Sequence, residues 1–263
     1  MRLAPGSKWS KHQIVSRHPS LRRYLPETRR YSKQALSEML DRYQLVFVKP
    51  EYGGGGYRIF RVKKLNSGHY QVNMEHRSRN IATRAEVYRW IESVRRGTRF
   101  LVQRGIPLAQ WNRRPVDLRA TVQKNESGRW EVTGLFAKAA GRNLAVTNVI
   151  IGGKVIPLKT YLRGIGYSGK QVESQIVRIK AMAVRIARQF GSLYSNAIYG
   201  LDIGLDRSGR LWLIEVNTAP VLKVFHRTDL SKAQRRSLKL WILHRTINRA
   251  AEVHRGSWRR RWR

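Results

Sequence analysis

The order of apolar and polar positions divides this chain into many short strands and a few helices. The clearest periodicity runs from Lys170 to Phe190, where Val172, Ile176, Ile179, Ala183, Ile186 and Phe190 recur every three or four residues. That spacing predicts an amphipathic helix whose apolar stripe faces the core. Ser32 stands where it can cap a second helix, Lys33 to about Tyr43, with Leu36, Met39 and Leu40 on one face. Thr83 precedes a third, Ala85 to Val94, and the stretch from about Ser231 to Val253 predicts a fourth. The first thirty residues are broken by Pro5, Pro19 and Pro26 and predict no long regular element. Between the helices lie strand patterns at Leu45–Pro50, Arg58–Val62, Tyr70–Met74, Phe100–Gln103, Asp117–Gln123 and Trp130–Lys138. A further strand or loop is expected at Asn143–Ile151. From residue 117 onward the turn spacing is that of antiparallel strands.

The chemistry concentrates in the hairpin Gly200–Asn217, two apolar strands joined by Asp206-Arg207-Ser208-Gly209. A two-residue loop at Arg207-Ser208 sets Asp202 opposite Leu213. Asp202, Glu215 and Asn217 then share one face, with Asp202 and Glu215 as diagonal neighbours roughly 7–8 Å apart. Three hard oxygen ligands suit Mg²⁺, which binds carboxylates together with substrate phosphates. A solvated hairpin also carries Asp and Glu. Here, however, three of only 16 acidic residues fall between very apolar neighbours, which favours a metal site. Early in the chain, a buried strand ends in Lys49-Pro50 and runs into Gly53-Gly54-Gly55-Gly56. Glycines between two strands can bring backbone N–H groups against a phosphate, although a flexible hairpin tip uses them equally well. No Gly-Lys-Ser/Thr follows, so this is not a Walker loop.

Charge changes the picture most. The 53 Lys and Arg against 16 Asp and Glu give +37, a field that attracts nucleic acid, anionic membranes, acidic polymers and nucleotide phosphates. The excess is spread along the chain, except for the basic and aromatic cluster Arg255–Arg263. Absence of cysteine removes disulfides, thiolate metal sites and a cysteine nucleophile. No apolar run approaches the 18–20 or so residues that span a bilayer, and no signal peptide opens the chain, which predicts a cytoplasmic protein. Gly164-Ile165-Gly166-Tyr167-Ser168-Gly169 matches a dinucleotide fingerprint, but no acidic residue stands about 20 positions on, and the match is rejected. The histidines show no zinc spacing, and no G-x-S-x-G elbow supports a serine hydrolase.

The order of several motifs carries a resemblance. They are Lys8-Trp9, Leu25-Pro26-Glu27-Thr28, Val48-Lys49-Pro50 with its glycines, Asp117-Leu118-Arg119, Val146-Thr147-Asn148 with Gly152-Gly153, Gly200-Leu201-Asp202-Ile203 and Trp212–Asn217. Together they resemble the ATP-grasp superfamily, and more closely its YheC/YheD-like endospore coat-associated family, over roughly residues 7–250. The resemblance implies an α+β fold in which two α+β lobes with antiparallel sheets clasp a nucleotide cleft. It divides the chain into a basic segment at 1–30, a smaller lobe with the glycine loop at 31–105, a larger lobe with the metal hairpin at 106–253, and a basic tail at 254–263. Lys49 would contact the α- and β-phosphates of ATP, and Gly53 to Gly56 would close over the β- and γ-phosphates. Lys8 or Lys11 would supply a second phosphate-side lysine. Gln103 and Ile106 would hold the adenine, with Asn148 also on the nucleotide. Arg119 and Lys138 would face the γ-phosphate and a substrate carboxylate, while Asp202, Glu215 and Asn217 would hold Mg²⁺.

The implied activity is that of an ATP-dependent carboxylate–amine ligase. A carboxylate is activated as its acyl phosphate and joined to an amine or similar nucleophile, with an acidic peptide or polymer as a substrate suited to +37. Spore coat components are implied partners. The glycines are more compressed than in relatives, Lys138 stands where arginine is usual, and the smaller N-terminal domain of many ATP-grasp enzymes is expected to be missing. The alternative is a non-catalytic ATP-grasp-like coat or scaffold protein that binds anionic partners through its basic surface. A nucleic-acid binder is favoured only by the charge and the Arg/Trp tail.

Overall fold

The computed structural model describes residues 4–140, 154–220 and 239–240. Asn148, the Asn143–Ile151 segment, the 231–253 helix pattern apart from 239–240, and the basic tail therefore lie outside the described residues. What is described forms two antiparallel sheets with helices packed on them.

The first sheet has the order β1-β6-β2-β3-β4-β5. Its strands are β1 (Thr28–Arg30), β2 (Leu45–Pro50), β3 (Phe60–Lys64), β4 (Tyr70–Met74), β5 (Arg77–Ile81) and β6 (Phe100–Arg104). Helices α3 (Lys33–Arg42) and α4 (Arg84–Arg95) cover one side. Their Leu36, Met39, Val87 and Ile91 meet Val46, Val48, Phe60, Val62 and Val72 from the strands in one buried cluster. Alternation does the rest: as Val46 and Val48 point into this core, Leu45, Phe47 and Lys49 point the other way. The caps are those the sequence proposes. Ser32 Oγ accepts from Ala35 N at 3.0 Å, and Thr83 and Glu86 form a reciprocal capping box. Strand β3 begins two residues later than the pattern predicts, because Arg58 sits at φ 58° and still belongs to the glycine loop.

The second sheet has the order β10-β9-β8-β11-β12, with β7 (Gln110–Trp111) paired to β8 alone. Its strands are β8 (Arg114–Lys124), β9 (Trp130–Ala139), β10 (Lys154–Pro157), β11 (Ile198–Leu205) and β12 (Leu211–Asn217). Helices α5 (Leu158–Gly164) and α6 (Gly169–Gly191) cover one face. On α6, Val172, Ile179, Ala183, Ile186 and Phe190 are fully buried and Ile176 packs at the margin, as the stripe predicts. The 164–169 glycines join α5 to α6. No strand feeds them, which agrees with rejecting the dinucleotide fingerprint.

Two expectations are overturned. The proline-broken N-terminus carries α1 (Lys8–Ser16) and α2 (Pro19–Arg22), whose Ile14, Val15 and Leu21 join the core of the second sheet. Pro19 occupies the first helical position, where its missing N–H costs nothing, and Pro5 and Pro26 lie outside both helices. The hairpin loop is also longer than two residues. Asp206 N donates to Arg210 O at 3.1 Å, Gly209 sits at φ 80°, and a bulge follows between Asp202 and Ile203. This is a three-residue loop with glycine in the left-handed position. Asp202 therefore pairs directly with Glu215, and Leu213 pairs with Ile203.

One close approach fixes the end of β6. Gly105 N donates to Leu45 O at 2.7 Å, and a Cβ on Gly105 would sit 2.2 Å from Leu45 Cγ. Gly105→Ala is expected to cost about 1–3 kcal/mol, the usual range for overpacking, seen as a lower denaturant midpoint at constant slope.

Candidate active site

The two sheets face each other across a cleft of about 1600 Å³. Most ligand pockets hold roughly 300–1,000 Å³, so this one has room for a nucleotide and a second molecule. Lys49, Gly53–Gly56, Gln103, Ile106, Arg119, Lys138, Asp202, Glu215 and Asn217 all line it. Every predicted site residue that lies among the described residues thus comes to one cleft.

On the first wall, β2 ends with Lys49 turned inward and 6% exposed. Its Nζ donates to Gln103 Oε1 at 2.8 Å, and Gln103 Nε2 donates to Thr28 Oγ1 at 3.0 Å. Gln103 lines the cleft, and its amide is engaged on both sides, by Lys49 and by Thr28. Burial pushes the Lys49 ammonium down to about 8; Glu215 and Asp202 pull it up, while Lys8 and Lys11 press it further down. Burial, with Lys49 nearby, also lowers His12 to about 4, so that imidazole is neutral near pH 7.

Of the two N-terminal lysines, the structure brings Lys8 to the glycine loop. Its Nζ donates to Gly53 O at 2.5 Å and lies 3.7 Å from Glu215 Oε1. Lys11 is lowered by burial, partly offset by Glu215, and lines a smaller cavity behind Lys49. The root of the loop is tied to α1 by Glu51, whose Oε1 accepts from Ser7 Oγ at 2.5 Å and whose backbone O accepts from Lys8 N at 2.9 Å. Within the loop, Gly53, Gly55 and Gly56 have φ of 95°, 77° and 81°, values that side chains rarely adopt.

On the facing wall, β8, β9 and β11 align their charged residues in two rows. Arg119 stands beside Asp202 in one row, and Asp117 stands beside Lys138 in the next. Arg119 grips Asp202 with both prongs, Nε to Oδ1 at 3.0 Å and Nη2 to Oδ2 at 3.1 Å. Lys138 Nζ donates to Asp202 Oδ1 at 2.7 Å and pairs with Asp117 at 3.2 Å. Asn217 Nδ2 donates to Asp202 Oδ2 at 3.0 Å. Burial favours the neutral acid at Asp202, yet Arg119 and Lys138 outweigh it and hold the carboxyl at about 2. Lys138 is likewise disfavoured by burial, but Asp117 and Asp202 raise it above its ordinary value. Gly200 makes the grip sterically possible: a Cβ there would meet Arg119 Nη1 at 2.8 Å.

Among the described residues, no group of three acidic or histidine side chains stands ready for a metal. The donor set is two directly opposed carboxylates and an amide, ringed by cations. All three donors are hard oxygens on one cleft wall, and such a set suits Mg²⁺ when phosphates and water complete the coordination. The residues fit that ion as part of a nucleotide complex.

Sequence reasoning missed Asp117, Glu51, Thr28 and Ile214. Asp117 and Thr28 stand within quoted motifs, but nothing local marks their partners. Ile214 lines the cleft beside Glu215 because the bulge turns both side chains to that side.

The family model described as YheC/D like ATP-grasp matches residues 5–246. The endospore coat-associated protein YheD of Bacillus subtilis (strain 168) is 26% identical over 244 residues, 89% of this chain and 53% of that protein. YheC of the same organism is 22% identical over 228 residues, 84% of this chain and 62% of that protein. This chain thus spans only about half to three-fifths of those two proteins. Among solved structures, the ATP-grasp ligase PsnB complexed with minimal precursor superposes with a TM-score of 0.51 at 13% identity, over 90% of this chain and 60% of that one. The VanG D-Ala:D-Ser ligase from Enterococcus faecalis gives 0.51 at 16% identity, over 82% and 52%. At such identities the structural likeness speaks for the fold.

Proposed function

Because this chain belongs to the YheC/D-like ATP-grasp family, we propose that it binds ATP with Mg²⁺ in this cleft and activates a carboxylate for ligation. One observation supports the reading above all others. Lys49 and the Lys8-held glycine loop line one side of a single cleft, and Asp202, Glu215 and Asn217 line the other. The triphosphate would lie between them, with Lys49 and Lys8 neutralising its oxygens. Ile106, Phe47 and Ile214 give the cleft an apolar stretch suited to the base. Mg²⁺, when bound by Asp202, Glu215 and Asn217, would neutralise phosphate charge.

In the proposed reaction a substrate carboxylate oxygen takes the γ-phosphoryl group and ADP leaves. An amine nitrogen then attacks the acyl carbon, phosphate departs with the bonding electrons, and the nitrogen loses a proton. Transfer of this kind needs positioning and charge neutralisation more than a covalent side chain. Arg119 and Lys138, which donate to Asp202 on the cleft wall, would be the cations that turn from it toward phosphate when nucleotide binds. An endospore coat association is proposed from the names of the two relatives.

The reading is tested by calorimetry of ATP binding with and without Mg²⁺. Glu215→Ala is expected to weaken Mg²⁺-dependent binding at least tenfold, about 1.4 kcal/mol. If the wild-type protein binds no nucleotide, the non-catalytic coat or scaffold role becomes the better account.

A further inference from the structure

The cleft face of the first sheet continues past the nucleotide position onto β3, β4 and β5, where Arg61, Lys63, Gln71, Asn73 and Ser78 line the cleft. Arg61 is the unusual member. It is half-buried, and among the described residues it enters no ion pair. Its Nη1 donates instead to Asn73 Oδ1 at 3.2 Å, and Asn73 Nδ2 donates to Ser78 Oγ at 2.9 Å. Arg61 pairs with Phe47 and with Asn73 in the strand register. The bond to Asn73 therefore turns its guanidinium toward β4, away from Lys49 on β2. Burial pushes its guanidinium below the ordinary value. A partly desolvated cation held in place by neutral groups is costly unless an anion completes it.

We propose that Arg61 and Lys63 form a docking site for the carboxylates of an acidic peptide segment of the substrate, held in the cleft beside the nucleotide. The proposal rests on the nucleotide reading above. The two cations alternate along β3, so they stand roughly 6–7 Å apart on one face. Alternate side chains of an extended acidic peptide recur at the same spacing, and two of its carboxylates meet the two cations in register. Phe47 on β2, the cross-strand neighbour of Arg61, is the ring on this face and is assigned above to the base of the nucleotide. Strands β3, β4 and β5 themselves present Arg61, Lys63, Gln71, Asn73, Ser78 and Asn80, with no series of rings for successive bases, which favours carboxylates over single-stranded nucleic acid.

The test is binding of hexaglutamate to the full chain, measured with a non-hydrolysable ATP analogue and Mg²⁺ present. Arg61→Gln and, separately, Lys63→Gln are each expected to weaken hexaglutamate about tenfold and leave analogue affinity within twofold of wild type. Arg129→Gln, which removes the same charge from an exposed turn, should change neither. Equal loss in the Arg129 variant would mean that net charge alone drives binding and would overturn the proposal. So would a hexathymidylate that competes equally and responds to the same substitutions, or an analogue affinity that falls in step with hexaglutamate. Failure of the analogue to bind wild type counts against the nucleotide reading itself, and is seen before any peptide is added.

Discussion

Lys49→Met is expected to raise the stability of the ligand-free protein while abolishing its grip on nucleotide. Burial brings this ammonium from 10.5 to about 8. At roughly 1.4 kcal/mol per unit, keeping it charged at neutral pH costs the folded state about 3 kcal/mol. Methionine fills a similar volume without that cost. It also leaves Gln103 Oε1 without the bond it accepts from Lys49 at 2.8 Å, a loss of about 1 kcal/mol, so a net gain of about 2 kcal/mol remains. The sign with pH runs opposite to that of a paired lysine. The unfolded chain holds its proton up to 10.5, so the wild-type penalty is full below about 8 and fades as pH rises through that window. Urea midpoints of the two proteins should therefore differ most near pH 7, meet at about pH 10, where the fading penalty equals the lost Gln103 bond, and cross above it. ATP affinity should move the other way, falling about 30- to 150-fold with the loss of 2–3 kcal/mol of charge-assisted bonding. A variant that is less stable and still binds ATP would show that Lys49 is a structural cation.

The residues that line the cleft were more legible in the sequence than parts of the fold. Lys49 at the end of an apolar strand, and Asp202, Glu215 and Asn217 between apolar neighbours, break the local pattern, and patterns break where function imposes a cost. The helical stripe of α6 was legible for the opposite reason: Val172 to Phe190 follow the period without exception. The prolines of the first thirty residues misled because Pro19 is a helix starter, and its role depends on a register that composition does not show. The hairpin register was off because Gly209 takes a left-handed conformation in a three-residue loop, and a bulge then shifts the pairing again. Gln103 was legible as a cleft residue, but its bond to Lys49 joins positions 54 residues apart. The partners of Asp202 lie on β8 and β9, and no spacing in the chain announces them. Fold class and the residues of the site came from pattern and resemblance; who holds whom came from the sheet register.

Asp202→Ala is expected to give the largest loss of stability of any single change in the cleft, about 3–5 kcal/mol, because it strips one carboxylate from a buried group that holds two cations. Lys138, buried, would be left with Asp117 as its one acid among the described residues, and Arg119 would lose both of its bonds to Asp202. The 21% exposure of the Arg119 side chain lets water recover part of its share, which places the expectation toward 3 kcal/mol. The pH dependence follows from a depressed acid. Asp202 titrates at about 2 when folded against 3.8 in the open chain. Its contribution is therefore complete above about pH 4 and is lost as pH falls toward 2, worth about 2 kcal/mol across that window. The alanine variant should lack this part of the acid limb. Adding Lys138→Met, Arg119→Met and Asp117→Leu removes both cations together with the second buried acid that Lys138 pairs with at 3.2 Å, and the quadruple variant should regain most of the lost stability, since an apolar replacement of a whole buried ion group is commonly neutral or better. Chemical denaturation at pH 7 and at pH 3 checks both parts. If the single variant loses less than 1 kcal/mol and keeps the acid limb, then Asp202 is not the residue that holds Arg119 and Lys138 in place, and the cleft wall owes its order to something else.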